Sequence, residues 1–267
     1  MEPLRLIELG RRDYSDMVAA QDRLISQRHA GAVDDLLLTL EHPPTYTLGR
    51  RSDPSDLLHD SDWYRARGIA ICDTPRGGRV TYHGPGQLVA YPIIDLKGVG
   101  TQPAGANRVD VAGFVEALED AMAAALLSWG VPAGRIEGLT GIWVDDDRPT
   151  RASFDDADAA SAAPGLARGT IRKIGSIGLK ISRGVTSHGL SLNVSCDLEP
   201  FEWINSCGIE ACRASSIAME TGGSAPAMPE VATEVGNRIA EALGLELEPG
   251  TPALVGLERR GRVDSVA

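Results

Sequence analysis

One stretch constrains the fold more than any other. Arg76-Gly77-Gly78-Arg79-Val80-Thr81-Tyr82-His83-Gly84-Pro85-Gly86-Gln87 runs directly into the apolar segment Leu88 to Ile94. That run, rich in β-formers, reads as a strand, with Pro92 marking an edge or a bulge. The four glycines of the preceding loop let backbone N–H groups face a ligand with no side chain in the way, while Arg76 and Arg79 supply positive charge. The same glycines also suit a tight double turn, so the loop alone leaves ligand binding and plain turning open.

The rest of the chain alternates short β-type runs with helical spacing. Leu4 to Leu9 reads as a strand, Tyr14 to Ala30 as a helix stopped by Gly31, Leu36 to Leu40 and Thr45 to Leu48 as strands, Trp63 to Arg67 as a helical turn, and Ile69 to Cys72 as a strand. Asn107 or Asp110 caps the longest helix, running to about Trp129, whose apolar stripe (Val111, Phe114, Val115, Leu118, Met122) reads as core. Arg135 to Val144 forms two short strands around a turn. Thr170 to Ile181 and Val185 to Val194, joined at Arg183-Gly184, form a hairpin with Lys173 on one arm and His188 on the other. Pro229 to Leu243 is a closing amphipathic helix, followed by a strand-containing tail. His42, beside Pro43 and Pro44, reads as a turn histidine.

Residues 145–169 break this pattern. They are rich in Asp, Ala, Ser and Pro without apolar periodicity, and residues 145–158 alone carry six Asp against two Arg. Such a segment cannot offset the entropy of ordering and is read as a mobile acidic insertion in a single domain spanning 1–267.

At 267 residues with 43% apolar content, the chain can bury a substantial core. A formal charge of −11 argues against a general nucleic-acid binder, because such a surface repels phosphate. The cluster Arg172, Lys173, Lys180 and Arg183 stands against that background and suits an acidic partner or an anionic small molecule. No apolar run is long enough to span a membrane and no signal-peptide core is present, which makes a cytoplasmic location the expectation. The five histidines are too scattered for a metal site, and no nucleotide-binding fingerprint occurs, so no metal or cofactor is expected.

Four cysteines, Cys72, Cys196, Cys207 and Cys212, are too few and too irregular for a disulfide framework. Cys207 has the most reactive context: polar Asn205 and Ser206 precede it, and Gly208 leaves neighbouring N–H groups accessible. A thiol attacks only as thiolate, which a nearby ammonium stabilises, so Lys173 is a partner for Cys207 if the fold brings them together.

Five ordered segments resemble a known family: Glu41 to Arg50, Arg76 to Leu96, Lys173 to Leu179, His188 to Val194 and Ser206 to Ile209 are similar to the corresponding segments of lipoyl(octanoyl) transferases. The resemblance spans about residues 5–220. It implies an α/β fold with a larger mixed sheet and a smaller sheet flanked by helices, similar to biotin and lipoate protein ligases. It also implies transfer of an octanoyl group from octanoyl-acyl carrier protein to a lysine of lipoyl domains, in 2-oxoacid dehydrogenases and the glycine cleavage H protein, through an acyl-enzyme thioester. Carried over by motif, Cys207 is the nucleophile and Lys173 lowers its pKa. Arg76, Gly77, Gly78, Arg79, Val80, Thr81, Tyr82 and His83, with Ser176, Ile177, Gly178, Gly189, Leu190 and Ser191, line the acyl site. Ser206 stands where the family usually has Pro. The alternatives are an ATP-dependent lipoate- or biotin-type ligase, which needs no nucleophilic cysteine, and a non-catalytic module that holds an acylated partner.

Overall fold

The computed structural model describes residues 3–97, 99, 109–136, 138–146, 170–206 and 212–258. The insertion from 147, Asn107 and Cys207 fall outside them. Asp145 instead ends a strand, and Asp146 pairs with Arg172.

Period-two alternation builds the main sheet. In β2 (Asp35–Glu41) Leu36, Leu38 and Leu40 face one core and Leu37 the other; in β6 (Gln87–Ile93) Val89, Tyr91 and Ile93 share the first face, Leu88 and Ala90 the second. Both strands are buried on both sides, which is why they read as continuous apolar runs. The sheet order is β12 (Glu246–Pro249), β1 (Pro3–Arg11), β2, β6, β10 (Val185–Asn193), β9 (Ile171–Ser182), β8 (Leu139–Asp145) and β7 (Gly134–Ile136), with β11 (Arg213–Ala214) beside β9. It is mixed: β1 runs parallel to both its neighbours, and the remaining pairs along that order are antiparallel. A second sheet, β4 (Ala70–Asp73), β3 (Thr45–Leu48) and β5 (Thr81–His83), packs its aromatic core of Tyr46, Tyr82 and Phe201 behind it.

Helices cover both faces of the large sheet. Met17, Leu24 and Ile25 of α1 (Tyr14–His29) pack on the Leu36/Leu38 face. Phe114, Leu118 and Met122 of α3 (Val111–Ser128) and Val231, Val235 and Ile239 of the closing helix α5 (Met228–Leu243) cover the other. Two short helices, α2 (Ser61–Ala66) and α4 (Ile217–Glu220), complete the described set. Each fully buried aliphatic side chain contributes ~1.5–3 kcal/mol. Of the two candidate caps, Asp110 does the work: its carboxylate accepts from the Gly113 N–H at 2.9 Å.

Of the two readings of Pro92, edge or bulge, the structure excludes the edge. It lies in β6 at the centre of the sheet, between β2 and β10, where the ladder is irregular. The pairing of β6 with β10 holds from Gln87 to Ala90, stops before Pro92, and resumes where Thr186 donates its N–H to the Ile94 carbonyl. Opposite the proline stands Gly189, where an added Cβ would lie 2.6 Å from the Pro92 Cδ and 2.1 Å from the Ala90 carbonyl oxygen. His188, at φ +55, takes up the irregularity. A proline without an N–H is tolerated because the ladder to β10 is interrupted opposite it and Gly189 has no side chain there.

Candidate active site

The glycine-bearing segments converge. Gly77 donates its N–H to the Leu179 carbonyl at 2.8 Å, and Gly178 pairs with Gly189 across the β9–β10 ladder. A Cβ on Gly178 would come within 3.0 Å of the Gly77 carbonyl oxygen, so the loop lies on the hairpin at backbone distance. A cavity of about 570 Å³ opens there, a volume ordinary for a small-molecule site. Lys173 and all the residues that the resemblance assigns to the acyl site line it, with one exception. Tyr82 turns the other way and packs against Tyr46 and Phe201, at ring-centroid distances of 5.5 and 5.4 Å.

The arginines of the loop are structural as well as polar. Arg76 is buried and holds β3, its Nη2 donating to the Thr47 carbonyl at 2.6 Å and to Thr47 Oγ1 at 2.7 Å, and its Nη1 to the Gly77 carbonyl at 2.8 Å. Arg79 forks onto the fully buried Asp56, with Nε 3.0 Å from Oδ1. Neither is free to cradle a phosphate alone. Arg51 and Arg213 are the exposed cations of the lining. Among the described residues the cavity lining holds five cations, Arg51, Arg76, Arg79, Lys173 and Arg213, and no carboxylate, in a chain of net charge −11.

A neutral polar cluster lies on one side. His83, Tyr14, Tyr91 and His188 line the cavity, and His42 sits behind them, fully buried. His42 Nε2 is 2.7 Å from the Tyr91 hydroxyl, and the Tyr14 hydroxyl donates to Thr74 Oγ1 at 3.0 Å. The Gln87 amide Nε2 donates to the Tyr82 carbonyl and to Asn193 Oδ1, so its Oε1 accepts from His83 Nδ1 at 2.7 Å; the network thereby assigns His83 the Nδ1–H tautomer. Burial is the main force on all three imidazoles, pushing His42 down to about 4, His188 to about 4 and His83 to about 3; nearby cationic groups, including Arg76, add to the last two. All are neutral at pH 7. The turn histidine expected at His42 does lie in the connection between β2 and β3, with its side chain fully buried.

Lys173 is only 9% exposed, unusual for a lysine. Its Nζ donates to the Thr140 carbonyl at 2.9 Å and lies 5.0 Å from the Trp143 ring centroid, a cation–π contact of ~0.5–2 kcal/mol. Strand register sets this up, since Trp143 pairs with Lys173 across β8–β9 next to a bulge. Ser206 and Cys212 also line the cavity. Two cysteines stand away from it, and burial pushes the Cys196 thiol up to about 12 and raises that of Cys72, which disfavours thiolate at either.

Sequence reading missed Tyr14, Tyr91, His188 and Trp143, and assigned Val111 and Val115 to the core although both line the cavity.

The two-sheet α/β scaffold with a buried lysine on the wall of a cation-lined cavity defines a ligand-binding domain of enzyme type. The family profile described as lipoyl protein ligase A/B catalytic domain matches residues 13–240, and the chain belongs to this family. Its relatives include a protein named octanoyltransferase from Chloroflexus aggregans, 41% identical over 233 residues, 87% of this chain and 91% of that one. Another octanoyltransferase, from Solibacter usitatus, is 39% identical over 245 residues, 92% of this chain and 95% of that one. The protein is therefore an acyltransferase of the octanoyltransferase type. The fold is shared with a bipartite lipoate protein ligase from Thermoplasma acidophilum, at a TM-score of 0.68 and 15% identity over 96% of this chain and 91% of that one.

Proposed function

We propose that the protein moves an octanoyl group from octanoyl-acyl carrier protein to a specific lysine of lipoyl domains, such as those of 2-oxoacid dehydrogenases and the glycine cleavage H protein, through a thioester on Cys207. The observation that carries the reading is Lys173, an ammonium buried on the cavity wall. Cys207 lies outside the described residues; Ser206, which precedes it in the chain, lines the cavity. The cavity's apolar lining, which includes Val89, Val115, Ile177 and Leu190, suits a medium-length acyl chain.

In the first half-reaction the Cys207 thiolate, stabilised by the Lys173 ammonium, attacks the thioester carbonyl carbon of the donor. The new C–S bond forms, the carrier thiolate leaves, and it takes up a proton. Thiol replaces thiol, so no ATP is consumed. In the second, the neutral amine of the target lysine attacks the acyl-enzyme, the C–N bond forms, the bond to Cys207 breaks, and the amine proton passes to the departing sulfur with Lys173 as relay. Formation of an amide from a thioester drives this half forward.

Cys212 also lines the cavity, so the assignment of nucleophile is tested against it. Intact-mass measurement after incubation with octanoyl-acyl carrier protein, without ATP, is expected to show one added octanoyl group in the wild type and in Cys212→Ser, and none in Cys207→Ser. An adduct that survives in Cys207→Ser refutes the nucleophile. Transfer that appears only with ATP refutes the reaction class and favours a ligase.

A further inference from the structure

We propose that Glu119 is a positioning residue that acts on Lys173 through a single peptide group, the one joining Thr140 to Gly141; this rests on the reading of Lys173 given above.

Glu119 stands on α3 among Phe114, Leu118 and Met122, a face otherwise buried in the apolar core, and is only 6% exposed. A carboxylate in such a place costs stability unless hydrogen bonds hold it. Its Oε1 accepts the Gly141 N–H at 2.7 Å. The carbonyl of the same peptide, that of Thr140, accepts from Lys173 Nζ at 2.9 Å. One rigid planar unit therefore connects the two side chains, carboxylate at its N–H end and ammonium at its C=O end.

Without Glu119, little fixes that peptide's orientation. Gly141 sits at φ +118, a region only glycine enters at low cost, and glycine also allows the preceding peptide to rotate. A side chain there is excluded by backbone as well as by the lysine, since a Cβ would lie 2.6 Å from the Gly175 carbonyl oxygen and 2.6 Å from Lys173 Cε. The site thus needs glycine for room and an outside anchor for orientation. The anchor is an acceptor aimed at the N–H, which also polarises the carbonyl toward the ammonium.

The ionisable groups around Glu119 are Arg135 of β7, Lys173 of β9 and Asp120 beside it on α3. Burial raises its pKa, while the Gly141 N–H, Arg135 and Lys173 pull it back.

The test is single-turnover octanoylation of the enzyme measured against octanoyl-acyl carrier protein concentration, with folding checked by thermal melting. In Glu119→Met the peptide is released and the ammonium loses an aimed acceptor. The limiting rate is expected to fall ~10-fold or more while the half-saturating donor concentration stays in place. Glu119→Gln still offers an oxygen to the Gly141 N–H, and retains the limiting rate within ~3-fold. A purely structural role would lower the melting temperature and the fraction of active enzyme without slowing the molecules that remain folded. If the Met variant does not fold, Glu119→Asp takes its place, because it keeps the charge but withdraws the acceptor by one methylene. A wild-type limiting rate in a folded Met or Asp variant overturns the proposal, as does a Gln variant as damaged as either. Lys173→Met separates the two levels: if it still acylates at the wild-type rate, the underlying reading of the lysine is wrong; if it is inactive while the Glu119 variants behave as wild type, only the role of Glu119 fails.

Discussion

Arg51 and Arg213 are exposed side chains that line the cavity, and among the described residues neither has an ion-pair partner. Under the proposed reaction, exposed lining cations of a protein with net charge −11 serve encounter with an acidic carrier donor more than the acyl group, because field effects govern encounter more than chemistry. The double charge reversal Arg51→Glu with Arg213→Glu is expected to lower kcat/KM for the protein donor ~10-fold or more at low salt and less at high salt, where screening shortens the range of the field. Turnover of a small octanoyl-pantetheine thioester is the control and stays near the wild-type value. Equal loss with both donors means that these arginines serve folding or the reaction itself. At this scale Lys173 was legible because it sits in an ordered motif with a physical reason for an ammonium. Glu119 was not, since a lone carboxylate in a helix stripe reads as a solvated position, and only the packed fold shows that it faces the Thr140–Gly141 peptide. Trp143 was hidden in the same way, because cross-strand register, not spacing, sets it beside the lysine.

Among the elements, β6 and β10 carry the site's most demanding fit. Gly189 leaves no room for even a methyl group, with an added Cβ 2.1 Å from the Ala90 carbonyl oxygen. Backbone atoms cannot yield as a flexible side chain does, so Gly189→Ala is expected to destabilise the protein by ~3 kcal/mol or more, at or above the upper end for overpacking. Urea titration reads this as a lower midpoint at unchanged slope; an unshifted midpoint would show that β10 slides without cost. The strands themselves were legible from period-two and continuous apolar runs, and the hairpin from its turn. The place of Pro92 was not. Proline in a run argues for an edge only when the opposing strand keeps a regular ladder, and here the accommodation is made by Gly189 and His188, about a hundred residues further along the chain. The loop and the hairpin were brought together by the resemblance, but the contributions of α1, β6 and the start of α3 to the cavity were invisible: each carries an unremarkable local pattern, and chemistry arises only where they meet.

For the whole molecule, burial of neutral titratable groups around one site sets the pH range in which the fold is stable. His42 and His188 fall to about 4 and His83 to about 3 in the folded protein, against ~6.5 in an unfolded chain. Between those values the unfolded chain binds protons that the folded one refuses. The stabilisation from these neutral imidazoles is present in full above pH ~6.5 and is lost as the pH falls toward 4. Each contributes ~2 kcal/mol of loss between pH 7 and pH 5, at ~1.4 kcal/mol per pH unit below 6.5. Three together approach the total stability of a typical domain, ~5–15 kcal/mol. Carboxylates do not produce this slope: Asp53 and Asp146 are lowered and titrate further into acid, and Glu119, raised by burial, acts in the opposite direction. At the other end Cys196 and Tyr82 rise to about 12, chiefly through burial, so above their ordinary values the unfolded chain ionises first and stability falls as the pH rises. Urea midpoints are expected to be highest between about pH 7 and pH 9 and to drop steeply from pH 6.5 to pH 5. His42→Gln, with an amide to meet the Tyr91 hydroxyl, removes one proton site and flattens the acid slope by about a third. A midpoint that stays level from pH 7 to pH 5 would mean that the cluster admits protons or water in the native state, and that the wall of the cavity is more open than its packing indicates.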